Sequence, residues 1–185
     1  MHYRKAELQD AGKLAYVHVH SWRTTYRGIV SEDYLESLSL VEREERWIRI
    51  LSDSHHTYVC ESDEGEILGF VSFGKERTGK CEGELYAIYL LKDHQGKGIG
   101  KALFEIARGE LRNMGFNSMW IWVLKENPSK YFYHKYNPAL IKEETLTIGN
   151  ERHRERGCCW TSIKKTKERG PLSLFDGIGL KKIRM

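Results

Sequence analysis

Residues 84–114 constrain the fold more than any other part of the chain. An apolar run, 84–91, stops at a polar turn, and Gly96, Gly98 and Gly100 then open a segment whose apolar residues recur at helical spacing. Ile99, Ala102, Leu103, Ile106, Ala107, Leu111 and Met114 lie on one helical face, so an amphipathic helix is predicted, closed by Gly115. A strand, a glycine loop and a helix in that order gather backbone N–H groups at a helix start. Such a start leaves about four N–H groups unpaired and carries partial positive charge, so anions bind there. Glycine lets a phosphate reach the backbone with no Cβ in the way, and Lys97 and Lys101 add full charges nearby.

Two familiar phosphate loops fail on this stretch. The pattern G-x-x-x-x-G-K-[ST], anchored on Gly100 and Lys101, requires glycine where Gln95 stands and a hydroxyl where Ala102 stands. A dinucleotide G-x-G-x-x-G starting at Gly96 requires glycine at Lys101, and it belongs after a first strand, whereas this loop follows roughly the fourth.

The rest of the chain supplies the other layers. A first strand is predicted at 2–6, then helices over 8–26, 31–38 and 41–51. Residues 57–73 read as a hairpin around "SDEGE", 118–124 as a buried strand, 128–136 as a short helix, and 139–148 and 153–163 as two final strands. That order is an α/β (α+β) pattern: a central mixed, mostly antiparallel sheet of six to seven strands flanked by four to five helices.

Charge excludes one class of function. The formal net charge is +4, but residues 161–185 hold seven Lys/Arg against two acids, leaving a nearly neutral body of 23 against 24. A nucleic-acid-binding domain needs a basic stripe, so no nucleic-acid partner is expected. No run is long and apolar enough to span a membrane and the start lacks a secretory apolar core, so a soluble, cytoplasmic protein is expected. The four cysteines and eight histidines show no metal-ligand spacing, and no metal or disulfide framework is expected.

Gln95-Gly96-Lys97-Gly98-Ile99-Gly100, a Q-x-x-G-x-G motif between a long strand and an amphipathic helix, resembles the acyl-CoA-binding motif of the GNAT superfamily of N-acetyltransferases. "SWRTTYRGIVSEDYL" at 21–35, "VLKENPSKYFYHKY" at 123–136 and Trp160 resemble further segments of one bacterial GNAT group, so about 165 residues are covered. The resemblance implies a GNAT domain over 1–165, with 166–185 as a basic extension. It implies acetyl transfer from acetyl-CoA directly to an amine in a ternary complex, and a homodimer joined near the C-terminal strands. The alternative is a silent acyl-CoA-binding module of the same fold.

The resemblance also assigns residues. Pyrophosphate is expected on backbone N–H groups of Gly96, Lys97, Gly98, Ile99, Gly100 and Lys101, with Gln95 beside them, and the pantetheine arm on backbone at Ile88, Tyr89 and Leu90. The N–H of Leu90 is expected to face the thioester oxygen; losing such a donor costs roughly 3 kcal/mol. Tyr133 matches the tyrosine that protonates the departing thiolate, and Asn127 an asparagine that touches the CoA arm. Glu84 matches a general-base glutamate and, by strict alternation, shares a face with Tyr86, Ile88 and Leu90. Where the family has glycines after the short helix, this chain has Asn137 and Pro138; Asn tolerates the left-handed conformation, so the turn is expected to survive.

Overall fold

Seven strands pair into one sheet in the order β1-β2-β3-β4-β5-β7-β6. The computed structural model describes residues 1–53 and 56–163, so the expected basic extension over 166–185 lies outside the described residues. The strands are β1 (His2–Lys5), β2 (His56–Glu61), β3 (Ile67–Lys75), β4 (Gly83–Leu90), β5 (Met119–Leu124), β6 (Leu140–Ile148) and β7 (Glu151–Trp160). The helices are α1 (Ala11–Thr25), α2 (Glu32–Ser37), α3 (Leu40–Ser52), α4 (Ile99–Asn113) and α5 (Lys130–His134). The expected mixed, mostly antiparallel sheet is found: only β4 and β5 run parallel.

That parallel pair positions the site. β4 stays registered with β3 as far as Leu90 opposite Gly69. Against β5 it pairs only at Gly83–Met119, Glu84–Trp120 and Leu85–Ile121, after which the two strands part. The connection between them is α4, whose Ile99, Leu103, Phe104, Ala107 and Leu111 are buried at the spacing the sequence predicts.

The sheet carries a core on each face. Leu85, Ile88 and Leu90 of β4 pack with α4, β5 and β7; Ala87 and Tyr89 pack with α1, Trp47 of α3 and Phe70. This split corrects the expected face of Glu84. Phe73 lies opposite Leu85 but Ser72 lies opposite Ala87, so Tyr86 is an extra residue, a β-bulge that reverses the parity of everything after it. Glu84, which alternates with Leu85, therefore does not share a face with Ile88 and Leu90.

Close contacts hold the far end of the sheet. A Cβ on Gly157 would stand 2.0 Å from Cζ2 of Trp120 and 2.9 Å from Cζ3 of Trp122, so only glycine lets both indoles lie on β7. Asn137 adopts φ 49°, and the left-handed turn survives without a glycine, as expected. Trp160 then donates from Nε1 to the carbonyl of Tyr136 at 2.7 Å, tying the end of the α5 segment to β7.

Candidate active site

Where β4 and β5 part, a cavity of about 750 Å³ opens, bounded by both strands, the glycine loop and the α5 segment. Its β4 wall has free backbone. In an antiparallel ladder, residues alternate between those that bond the partner strand and those that face away. The amide of Leu91 donates to the carbonyl of Leu68 at 3.0 Å, which puts Leu91, Tyr89 and Ala87 in the bonded positions. Ile88 and Leu90 consequently turn their N–H and C=O groups away from β3, toward the gap that β5 has left. Tyr89, expected on the same rail, commits its backbone to Phe70 and contributes its phenol instead.

The carbonyl of Leu90 is the hub of this wall. Ser21 Oγ donates to it at 3.0 Å and Gln95 Nε2 at 3.3 Å. Gln95 thereby ties the glycine loop to the strand end. Beyond it, Gly96 (φ 74°) and Gly98 (φ 84°) occupy the left-handed region, and a Cβ at either would meet no protein atom within 4 Å. Space is thus open on the loop's outer face. The first helical bond of α4 runs from Ala102 N to Gly98 O, and among the described residues no carbonyl accepts from the amides of residues 96–101. Gly96, Gly98, Gly100 and Lys101 line the cavity; Lys97 is exposed outside its lining, and Ile99 is buried, so each of these two brings its amide alone. Six unpaired donors at a helix start are an array that could hold an anion such as a diphosphate.

Tyr133 reaches the same cavity from the other side. It is 4% exposed, packed by Phe104 and Phe132. Burial, then Tyr26 and Cys158, push its phenol far above the ordinary tyrosine range, so it stays protonated at any physiological pH. Asn127, buried in the same lining, is bonded at both ends of its amide: Oδ1 accepts from Ser129 N at 2.8 Å and Nδ2 donates to the Tyr26 hydroxyl at 3.3 Å. Tyr26 leads on to Tyr89, whose hydroxyl accepts from Trp22 Nε1 at 2.9 Å. This chain of aromatic hydroxyls fixes α1 against the α5 segment.

Glu84 is occupied differently from the sequence expectation. It is 2% exposed, and Arg77 grips both carboxylate oxygens, Nη2 to Oε1 at 2.5 Å and Nε to Oε2 at 3.0 Å, with the Arg77 amide on Oε2 at 3.3 Å. The pairing raises the Arg77 pKa further. Both oxygens of the Glu84 carboxylate are thus engaged by one side chain. Glu84 is not in the lining of the large cavity; the carboxylate that is belongs to Glu155 on β7, opposite Leu124. Burial, then Glu144, raise its pKa above the ordinary carboxylate range. Sequence reasoning missed it because "ERHRER" reads as a solvated strand; its only signal is alternation, which sets Glu155 on the face of His153 and Gly157.

The cysteines also come together in a way their spacing conceals. Cys81 and Cys159 place their sulfurs 2.7 Å apart, both thiols free, and burial and this neighbour push Cys81 up to about 12.

With this geometry in hand, comparison with known proteins is informative. Residues 17–137 match the Acetyltransferase (GNAT) family. The chain is 41% identical to an uncharacterized N-acetyltransferase, YuaI, of Bacillus subtilis over 89% of its own length and 95% of that protein's. It is 28% identical to the spermidine N(1)-acetyltransferase of Thermoplasma acidophilum, across 71% of this chain and 84% of the relative. The crystal structure of the PaiA N-acetyltransferase of Thermoplasma acidophilum in complex with coenzyme A superposes with a TM-score of 0.63 at 25% identity, covering 83% of this chain and 96% of the other. A splayed parallel strand pair, a donor-rich helix start between them and these relatives lead to one conclusion: the chain belongs to the GNAT family of acetyltransferases.

Proposed function

We propose that the chain is an N-acetyltransferase that binds acetyl-CoA in the cleft between β4 and β5 and passes the acetyl group directly to an amine in a ternary complex. The observation that carries this reading is the continuity of donors along one wall: the cleft-facing backbone of Ile88 and Leu90 runs into the six free amides of residues 96–101. A strand-like amide arm ending in a diphosphate fits that wall, by edge pairing at one end and helix-start binding at the other. Family relatives support it, including the Thermoplasma structure with coenzyme A.

When bound, acetyl-CoA supplies an activated acyl group on a good leaving thiol. The protein supplies the rest. The Leu90 amide donates toward the thioester oxygen, where negative charge develops during attack. Tyr133, held protonated, gives its proton to the departing sulfur. Glu155, made more basic than an ordinary carboxylate by its surroundings, takes the proton from the incoming ammonium, and Glu84 holds Arg77. We further read the protein as cytoplasmic, which its four free thiols support, and as a homodimer through the β6 edge of the sheet.

Release of free thiol from acetyl-CoA, followed across a panel of amines, tests the activity. Amine-dependent release is expected. A protein that binds acetyl-CoA yet turns over no amine would instead be a silent binding module.

A further inference from the structure

A second cavity, of about 330 Å³, lies against β4 on the side of α1 and α3. It shares Trp22, Tyr86, Ala87 and Tyr89 with the large one, so the two border each other at the β4 bulge. Its wall combines aromatic rings with three guanidinium groups: Arg43 and Arg46 from α3, and Arg77.

Two of these three cations lack an ion-pair partner among the described residues. Arg77 is matched by Glu84, but among the described residues no carboxylate stands within ion-pairing distance of Arg43 or Arg46. The neighbouring acids of the same helix, Glu42, Glu44 and Glu45, do not line the cavity. Burial and the nearby Arg46 hold Arg43 below the ordinary arginine pKa. His18 stands in the same wall with Nδ1 buried and unbonded, kept neutral at about 3 by burial and by both arginines. A half-buried guanidinium, Arg43, beside the exposed Arg46 on an aromatic wall is a pair of like charges that an anion would relieve.

We propose that the acceptor is a small amine that also carries an oxyanion, which Arg43 and Arg46 hold while the amine reaches the cleft at the Tyr86–Ala87 bulge. This rests on the acetyltransferase reading above. A bidentate guanidinium site suits carboxylate, phosphonate and phosphate alike, whereas a polyamine would bring like charge to like. The cavity volume suits an amino-acid-sized molecule rather than a protein surface.

The test compares matched amines in the thiol-release assay, with acetyl-CoA binding followed separately by thermal shift. The twenty amino acids are set against their carboxamides, aminoalkylphosphonates and phosphoethanolamine against the corresponding uncharged alcohol amines, and spermidine is included. Expected is at least one acid whose kcat/KM exceeds that of its neutral partner by about 10-fold or more, the range for a hydrogen bond to a charged group. Which acid leads separates carboxylate from phosphate chemistry. In the Arg43→Gln, Arg46→Gln double variant that ratio should fall to near one, through KM of the acceptor, with the acetyl-CoA shift retained. Preference for neutral amines or spermidine, an unchanged ratio in the variant, or silence of every anionic amine while acetyl-CoA still binds would each overturn the proposal. Failure of acetyl-CoA to bind would instead remove the acetyltransferase reading beneath it.

Discussion

In the proposed reaction Tyr133 and Glu155 carry opposite proton duties, and their surroundings suit each to one of them. The Tyr133 phenol is pushed above its ordinary range, so the donor form persists throughout neutral and mildly alkaline pH. Tyr133→Phe should lower kcat by roughly 100- to 10,000-fold with KM for acetyl-CoA little changed, and the parent profile should show no falling limb below about pH 10. As the proposed base Glu155 would work ionised, so its raised pKa should move the rising limb of kcat/KM above the ordinary carboxylate range. In Glu155→Gln that limb should vanish. The linked effect on stability has a definite sign. A carboxyl whose folded pKa exceeds its unfolded value contributes stability that is full below the unfolded pKa and lost as pH rises through the folded one. The glutamine variant should therefore melt at pH 7 no lower than the parent while turning over more slowly. A lower melting temperature with normal turnover would mark Glu155 as structural. Glu84→Gln should act through Arg77, on acceptor KM more than on the shape of the pH profile.

The elements were largely legible in the sequence, and what was not legible depended on pairing. Strand 118–124 and helix 99–114 follow from apolar spacing, and the structure ends them within about a residue of those bounds. The bulge at Tyr86 could not be read, because a period of two carries no record of the extra residue that pairing with β3 imposes. That one residue moved Glu84 off the face of Ile88 and Leu90. The parting of β4 from β5, and the meeting of Cys81 with Cys159, are likewise tertiary events between segments distant in sequence. Glycines are informative at this scale for two different reasons. At Gly98 the conformation is the constraint: alanine should cost about 1–2 kcal/mol at φ 84° and weaken acetyl-CoA binding by disturbing the amides that follow. At Gly157 the space is the constraint: alanine must displace Trp120, and a loss of about 1–3 kcal/mol in chemical denaturation is expected, with acetyl-CoA affinity nearly unchanged.

Across the described residues, one sheet with apolar packing on both faces is divided by the opening between β4 and β5 into halves that share a cleft. The α4 face supplies the donor loop, the α1 and α3 face supplies the arginine-lined cavity, and the bulge lets them meet. Everything proposed here about chemistry depends on that cleft holding acetyl-CoA. Thermal unfolding of the full chain with and without acetyl-CoA measures this directly. At a ligand concentration of about 100 times the dissociation constant, binding to the folded state alone should add roughly 2.7 kcal/mol of stability, seen as a rise in melting temperature that Gly98→Ala reduces. An unchanged melting temperature at saturating acetyl-CoA, in a chain whose unfolding is otherwise cooperative, would contradict the account.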